Sequence, residues 1–412
     1  MPKEHQTDIL VIGGGPAGSL AAYHAAKQGC KTLLVEEHKE AGVPDHCAGL
    51  IGIQGLERLL NPIPANIIQN YISKANLVSP EGNIFSVVKK NSMLVVNRAQ
   101  LDQKLLQRAV DKGTELLTGI HIKQLIVKNR QVCGAAGLKR STKEEQLIHA
   151  KVVINAEGAR ARLIKQAGLI SPSRDWFLPA LQYEFNTPSL DPDVVHLCFG
   201  KSWAPGFFAW IIPFSDERVR VGVGVKREYG PPKMYLDRFI KKHPVSSLFN
   251  FSSPIRRFGG VISAAGPIPQ TYNDGFLVVG DAAGQTKPTS GGGVNIGGYC
   301  GKLAGEVAAK SIQAQNYSQK FLRNYQKLWK RYFERELTLM RIFRRRIAGT
   351  ISDELLEQGF KTAIASGIQR KLADLQDVDL HLSGFFKSVL TPSFVLLGVK
   401  KLPNFIKTFL AL

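Results

Sequence analysis

The chain has 412 residues but only five cysteines, and no two of them form a Cys-x-x-Cys pair. Cys30, Cys47, Cys133, Cys198 and Cys300 are odd in number and widely scattered, which argues against a disulfide framework and a zinc site and fits a reducing cytoplasm. No metal centre is expected. Long apolar runs are missing too: none approaches the 18 or so residues of a membrane-crossing helix, and MPKEHQTD at the start does not read as a secretory signal. Repeats and low-complexity tracts are absent, which leaves a globular chain long enough for two domains. Acidic residues are scarce, with 33 Asp and Glu against 54 Lys and Arg, for a net charge of +21. Such a surface attracts phospholipid headgroups, a phosphorylated substrate or an acidic protein, unless it is simply a solvated basic exterior. Aromatics are not interleaved with the basic residues as in a nucleic-acid module, so nucleic acid is not an expected partner.

What is present is organised around DILVIGGGPAGSLAAYHAAKQGCKTLLVE, from Asp8 to Glu36. The pattern predicts a strand over 8–12, a turn over 13–18, a helix over 17–28 and a second strand over 32–35. Gly13, Gly15 and Gly18 form a GxGxxG. The first glycine permits the tight turn, the second lets a pyrophosphate approach the backbone, and the third lets helix and strand pack closely. Ala17 sits at the helix start, where free N–H groups and the dipole favour a phosphate. Glu36 is placed to accept hydrogen bonds from the ribose hydroxyls of an adenosine. Together these features predict a dinucleotide site.

Further along, HKEAGVPDHCAGLIG is too rich in Gly and Pro for a long helix, and no strand is expected directly after it. Residues 97–112 read as a helix opening on Arg98, 120–137 as a strand pair, and 151–160 as a buried strand running into a Glu-Gly turn. From about 178 to 268, short strands with Trp203, Trp210 and several Phe predict a sheet with an aromatic face. FLVVG then breaks into Asp281-Ala-Ala-Gly, followed by a glycine-rich helix start and a plain helix. The expected organisation is a discontinuous first domain (1–177 with 269–315), a second domain (178–268) and a basic helical region (316–412). That region carries Arg341-Ile342-Phe343-Arg344-Arg345-Arg346 and ends in SVLTPSFVLLGVKKLPNFIKTFLAL. An amphipathic basic helix of this kind can lie in a membrane interface or pack its apolar face on its own protein.

Three motifs in order, the GxGxxG with Glu36, the turn Glu157-Gly158-Ala159-Arg160, and Gly280-Asp281, resemble flavoproteins of the aromatic-hydroxylase-like FAD group. Where that group has Asp-Gly in the middle motif, this chain has Glu-Gly. Within the group the chain is most similar to the geranylgeranyl reductases, through PGFFAWIIPFSDERVRVGVGV. This stretch resembles the family's YxWxFP followed by GxG, with Phe208 in place of Tyr, Trp210, Ile212 in place of Phe, and Pro213.

The resemblance implies an α/β fold: a Rossmann-like FAD-binding domain of aromatic-hydroxylase type, an antiparallel-sheet substrate domain and a C-terminal helical region. For FAD it implies Gly13, Gly15, Ala17, Gly18, Glu36, Cys47, Ala48, Arg98, Asp281, Gly293 and Val294. For substrate it implies Phe208, Trp210 and Pro213. Cys47 corresponds to a cysteine beside the flavin ring and is a candidate proton donor, with ordered water as the other. The activity implied is reduction of isolated C=C bonds in geranylgeranyl chains, for instance those of digeranylgeranylglycerophospholipids, at the inner face of the cell membrane. Electrons would come from NAD(P)H or reduced ferredoxin, because the single dinucleotide unit is taken by FAD. The alternative on the same fold is a flavin monooxygenase or halogenase, whose WxWxIP is close to the 208–213 stretch but for its first Trp.

Overall fold

The computed structural model describes residues 2–187, 191–249, 253–345 and 351–367. The chain opens with β1 (Lys3–Ile12), α1 (Pro16–Lys27), β2 (Thr32–Glu36), β3 (Leu50–Gly52) and α2 (Ile53–Glu57). It continues through β4 (Ile68–Val78), β5 (Ile84–Val96), α3 (Arg98–Asp111), β6 (Glu115–Thr118), β7 (Ile120–Lys128), β8 (Gln131–Lys139) and β9 (Glu145–Asn155). Then come β10 (Phe177–Asn186), β11 (Val194–Cys198), β12 (Ala209–Ser215), β13 (Arg218–Gly224), α4 (Pro232–Lys242) and β14 (Arg256–Ser263). The last elements are β15 (Tyr272–Asn273), β16 (Phe276–Val278), α5 (Val294–Gln313), α6 (Gln319–Phe343) and α7 (Asp353–Ala365).

Two eight-stranded sheets result. The first has the order β15-β16-β9-β1-β2-β6, with β16, β9, β1, β2 and β6 parallel. Every residue of β2 is buried, as expected of a strand covered on both faces. The long β9 pairs with β1 along one edge and with two partners along the other: its first half carries the antiparallel β7–β8 pair, and its end pairs with β16. The second sheet runs β14-β10-β13-β12-β11-β4-β5-β3, antiparallel except where β11 meets β4. Strands β3, β4 and β5, which the sequence reading left in the first domain, therefore hydrogen-bond into the second sheet. The short β3 also falls inside the loop after β2, where no strand was expected; tertiary pairing with β5 supplies the bonds that the local sequence does not signal.

Helices α1 and α5 lie on the first sheet unusually close together. The reason is a stripe of glycines in α5: a Cβ on Gly301 would stand 2.0 Å from the Ala17 carbonyl oxygen, and one on Gly305 2.2 Å from that of Ala21. The helix that read as plain is therefore specialised for backbone contact. α6 completes this core with Leu322, Tyr325, Trp329, Phe333, Leu337 and Met340 on one face. Each such large apolar side chain gains about 1.5–3 kcal/mol by burial, which decides between the two readings of this helix: its seam belongs to its own protein, not to a lipid surface. The basic terminal segment that carried the membrane expectation lies outside the described residues. Among the described residues, no helix is long and apolar enough to cross a membrane.

The second sheet has two covered faces. One packs Tyr183, Ala209, Ile211 and Val221 under Tyr235, Leu236 and Phe239 of α4. The other carries Phe208, Trp210, Ile212 and Phe214, with Ala48 and Leu50 packed against them. α7 is tied across this sheet by two carboxylates: Asp353 accepts from the amides of Lys201 and Ser202, and Glu357 from the amide of Glu81 and the side chain of Asn83.

Two predictions follow from packing and burial. Gly301→Ala is expected to cost about 1–3 kcal/mol by overpacking, whereas Gly359→Ala in α7, with open space around it, is expected to be neutral or slightly stabilising; urea unfolding of the two variants checks the contrast. Burial also holds the imidazoles of His196 and His243 neutral, with pKa values down to about 4 from the usual 6.5. The unfolded chain takes up these protons near pH 6.5 and the folded chain only near pH 4. Stability present above pH 6.5 should therefore drain away between those values, by about 2 kcal/mol per histidine at pH 5. Unfolding midpoints of the protein and of His243→Gln at pH 7 and pH 5 measure it.

Candidate active site

The turn between β1 and α1 is built as the GxGxxG predicts. Gly13 sits at φ +106°, and a Cβ there would lie 2.3 Å from the Ala156 carbonyl oxygen. A Cβ on Gly18 would come within 1.9 Å of the Gly13 oxygen, so this glycine sets the distance between helix and strand. Over Gly15 there is open space, and α1 begins with Pro16, no side-chain cap and no acid in its first turn. Its first N–H groups thus remain uncapped at the helix N-terminus, a cradle that favours an anion. Glu36, at the end of β2, accepts from the Gly14 amide at 2.7 Å and the His38 amide at 2.9 Å, so its carboxylate fixes the turn. Neighbouring Glu37 gathers Arg160 (2.6 Å), Arg140 and His121 (3.1 Å), and so ties down the Glu157–Arg160 turn. Glu157 itself bonds Asn155 (2.8 Å) and the Leu163 amide (2.9 Å); it is spent on the turn and does not face the cradle.

The second half of the site is assembled around Arg98. Asn97 caps α3 by accepting from the Gln100 amide, which places Arg98 in the first turn. The guanidinium makes a two-pronged ion pair with Asp102 at 3.1 and 3.0 Å. Burial alone would weaken its charge, but Asp102 and the adjacent Cys47 thiol outweigh this and raise its pKa. Burial also pushes the carboxyls of Asp102 and Asp281 up, each opposed by Arg98. Arg98 thus pairs with Asp102 and lies within electrostatic reach of Cys47 and Asp281. Asp281 has no hydrogen bond to its carboxylate among the described residues. Gly293, at the start of α5, stands against it, since a Cβ there would meet its Oδ1 at 2.9 Å. Val294 is the first residue of α5, whose N-terminus also lacks a side-chain cap and an acidic first turn. Ala17 packs under Gly280 and Gly301 and spaces these elements.

Orphaned polar atoms mark the same region: the hydroxyls of Thr289 and Ser290, in the loop leading to Gly293, are buried and unpartnered. A free acid, two uncapped helix starts and two unpaired hydroxyls fit a bound group rich in phosphate, polyol and ring oxygens. FAD would suit that donor set, with Gly15 and the start of α1 to hold its pyrophosphate, Asp281 to hold its ribityl chain, and Cys47, Gly293 and Val294 to adjoin its ring.

Cys47 lies in the irregular loop after β2. Its amide donates to Asp45 Oδ1 at 3.1 Å, and its Sγ accepts from the Gly49 amide at 3.4 Å. The loop is fastened to the second sheet by residues the motif search passed over. Arg220, on β13 and only 3% exposed, donates to the Ala48 carbonyl (2.9 Å), Glu184 (3.0 Å) and Gln69 (3.0 Å), with its guanidinium 4.3 Å from the Phe214 ring centre. Gln182 reaches the His46 carbonyl at 3.5 Å and accepts from the Trp210 indole at 3.3 Å. Trp210 pairs with Gly222 on the next strand, and a Cβ on Gly222 would stand 2.4 Å from the Trp210 ring. The glycines of the GxG are thus floor space for aromatic rings. Phe208 and Trp210 share the face that looks to the Cys47 loop, 6.2 Å apart edge to face. Pro213 is not brought to this layer: strand alternation sends it to the opposite face, at a bulge, with its carbonyl bonded by Asn70. The charge around Arg220 gave no local signal, because its partners come from three other segments.

The Gly13–Gly18 cradle, the Asp281 turn and an aromatic-lined sheet facing a cysteine loop define an FAD-dependent oxidoreductase. Residues 8–171 match the FAD-dependent oxidoreductase family and residues 177–261 the geranylgeranyl reductase catalytic domain. A digeranylgeranylglycerophospholipid reductase 2 of Methanothermobacter thermautotrophicus is 34% identical over 358 residues, covering 84% of this chain and 89% of the relative. The digeranylgeranylglycerophospholipid reductase of Methanocaldococcus jannaschii is 33% identical over 399 residues, covering 93% and 95%. The crystal structure of a geranylgeranyl bacteriochlorophyll reductase-like protein from Thermoplasma acidophilum superposes with a TM-score of 0.84 at 26% identity, over 98% of each chain. The flavin-dependent brominase Bmp2 shares the fold, with a TM-score of 0.68 at 18% identity over 96% of this chain and 100% of the brominase. The chain belongs to the geranylgeranyl reductase family of FAD-dependent oxidoreductases.

Arg220→Met should cost about 3 kcal/mol, because a buried network loses its cation, and the released Cys47 loop should weaken FAD retention on gel filtration. Arg220→Lys should rescue little, since one ammonium cannot reach three separate acceptors as a guanidinium does.

Proposed function

We propose that the protein hydrogenates the isolated C=C bonds of geranylgeranyl chains carried on digeranylgeranylglycerophospholipids, in building archaeal-type membrane lipids. The observation that carries this reading is the aromatic layer of Phe208 and Trp210 turned toward the Cys47 loop. An unconjugated alkene has no carbonyl to polarise, so the protein's lever is proximity in a dry apolar setting rather than acid catalysis on a polar handle. Bound and reduced, FAD supplies the hydride for one alkene carbon. Phe208, Trp210 and Ile212 hold the chain and exclude water. Cys47 offers its Sγ proton to the other carbon, held by the Gly49 amide, with Arg98 beside it to balance the thiolate that remains. Asp281, Gly15 and the start of α5 orient the cofactor and take no part in proton transfer.

Electrons come from NAD(P)H binding transiently or from reduced ferredoxin; the +21 net charge suits an acidic ferredoxin. The protein works on the inner face of the cell membrane, where its substrate lies. The test is anaerobic incubation of the dithionite-reduced holoenzyme with a digeranylgeranylglycerophospholipid, followed by mass spectrometry. Product masses should rise in steps of two hydrogens, and Cys47→Ala should slow the reaction by about a hundredfold, the usual worth of a positioned proton donor. An unchanged rate in that variant removes Cys47 from the mechanism. No mass change with the native protein removes the reading and returns the fold to the monooxygenase class.

A further inference from the structure

The half-buried Arg98 and the buried Arg220 each have a carboxylate at 3.0 Å, Asp102 and Glu184 respectively. A third does not. Arg344, just past α6, is 4% exposed, bonds the Gly206 carbonyl, and sits with its guanidinium 4.6 Å from the Phe207 ring centre. Among the described residues, no carboxylate lies within ion-pairing distance of it, and burial alone pulls its pKa down to about 10. Arg345, next to it and exposed, lies 5.5 Å from the Trp176 ring centre, and Lys226 reaches the same ring at 5.4 Å. Arg345 is pushed down by burial and by Arg341, a third arginine at this helix end.

A helix C-terminus does favour cations, but by about 0.3–1 kcal/mol, whereas burying an unpaired charge costs several kcal/mol. The dipole therefore does not account for a buried Arg344 with no carboxylate paired to it among the described residues; Glu228, which neighbours the cluster through Lys226, is exposed and already paired to that lysine at 2.9 Å. An anion would complete the cluster.

The position of the cluster says which anion. Phe207, under Arg344, stacks on Phe208 at 4.2 Å; Phe208 meets Trp210 edge to face; Trp210 bonds Gln182, and Gln182 bonds the His46 carbonyl beside Cys47. The arginines thus adjoin an aromatic layer whose further contacts, through Trp210 and Gln182, reach the cysteine loop. The ligand that matches is an amphiphile with an anionic head and an unsaturated tail. Several guanidiniums acting together suit a phosphate, which accepts forked hydrogen bonds.

We propose that Arg344, with Arg341 and Arg345, binds the phosphate group of the lipid whose chain lies along Phe208 and Trp210. The assignment rests on the reductase reading above and adds the residues that select a phosphorylated substrate. It is tested on the oxidised holoenzyme by calorimetric titration with digeranylgeranylglyceryl phosphate and with digeranylgeranylglycerol, the same lipid without phosphate, with turnover measured in parallel. The native protein should bind the phosphorylated lipid about ten- to a hundredfold more tightly, the worth of one or two charge-assisted hydrogen bonds. In Arg344→Gln and in Arg345→Gln that preference should collapse to within about threefold, with FAD content and unfolding midpoint showing that each variant is intact. Arg345 is exposed, so its variant decides the matter if Arg344→Gln fails to fold. Preference retained in an intact Arg345→Gln, or absent in the native protein, overturns the proposal. Inorganic phosphate is titrated as well: if it binds and is lost in the variants while the two lipids bind alike, the cluster takes a free anion and the headgroup assignment falls. Binding with the expected preference but no turnover would overturn the reductase reading and leave the anion site standing.

Discussion

The guanidinium of Arg98 is the constraint on which the rest of the site depends. A charge largely withdrawn from water needs compensation nearby, and here it comes from three places along the chain: Asp102, paired one helical turn away, with Cys47 in the loop after β2 and Asp281, more than 180 residues downstream, within electrostatic reach. The first unit has to close with its late segment, β16 and α5, to bring Asp281 to Arg98 at all.

Around that centre, distance is set by the absence of side chains. Gly18, Gly301 and Gly305 draw α1 onto the sheet and α5 onto α1, so the Asp281 turn and the pyrophosphate cradle share one layer of backbone. The same device recurs in the second sheet, where Gly222 and Gly224 leave floor for Trp210 and Phe207. Where backbone cannot decide, buried polar chains do. Tyr325 of α6 bonds Gln285, whose Oε1 accepts from the Gly280 amide, so the helix after the catalytic segments holds the turn that presents Asp281. Arg220 plays the matching part for the Cys47 loop, and the loop's place against the aromatic layer is settled from the sheet side.

The local readings succeeded where one segment carries its own instruction. The strand, turn and helix from Asp8 onward, the helix opened by Arg98 and the β7–β8 pair lie within a few residues of where periodicity and glycine spacing put them. They went astray where the partner is remote. The short β3 has no alternation of its own and exists because β5 is beside it. Residues 50–96 look like part of the first domain until β4 finds β11, 120 residues later, where Lys74 pairs with Val194. Pro213 stands in the family motif with Trp210, yet a pleat that alternates faces separates the two side chains. Arg220 and Arg344 were two basic residues among 54; burial distinguishes them, and burial is a property of neighbours.

From sequence alone, then, came the glycine-rich turn between strand and helix and the family, because each is written in a motif along a single stretch of chain; the candidate acid, cysteine and arginine came with the family resemblance. The tertiary structure alone decided which face the aromatics present, which arginines are buried, and which of those lack a carboxylate. Those are questions of distance between segments far apart in the chain, and a charge acquires its meaning only from what the fold places within a few ångströms of it.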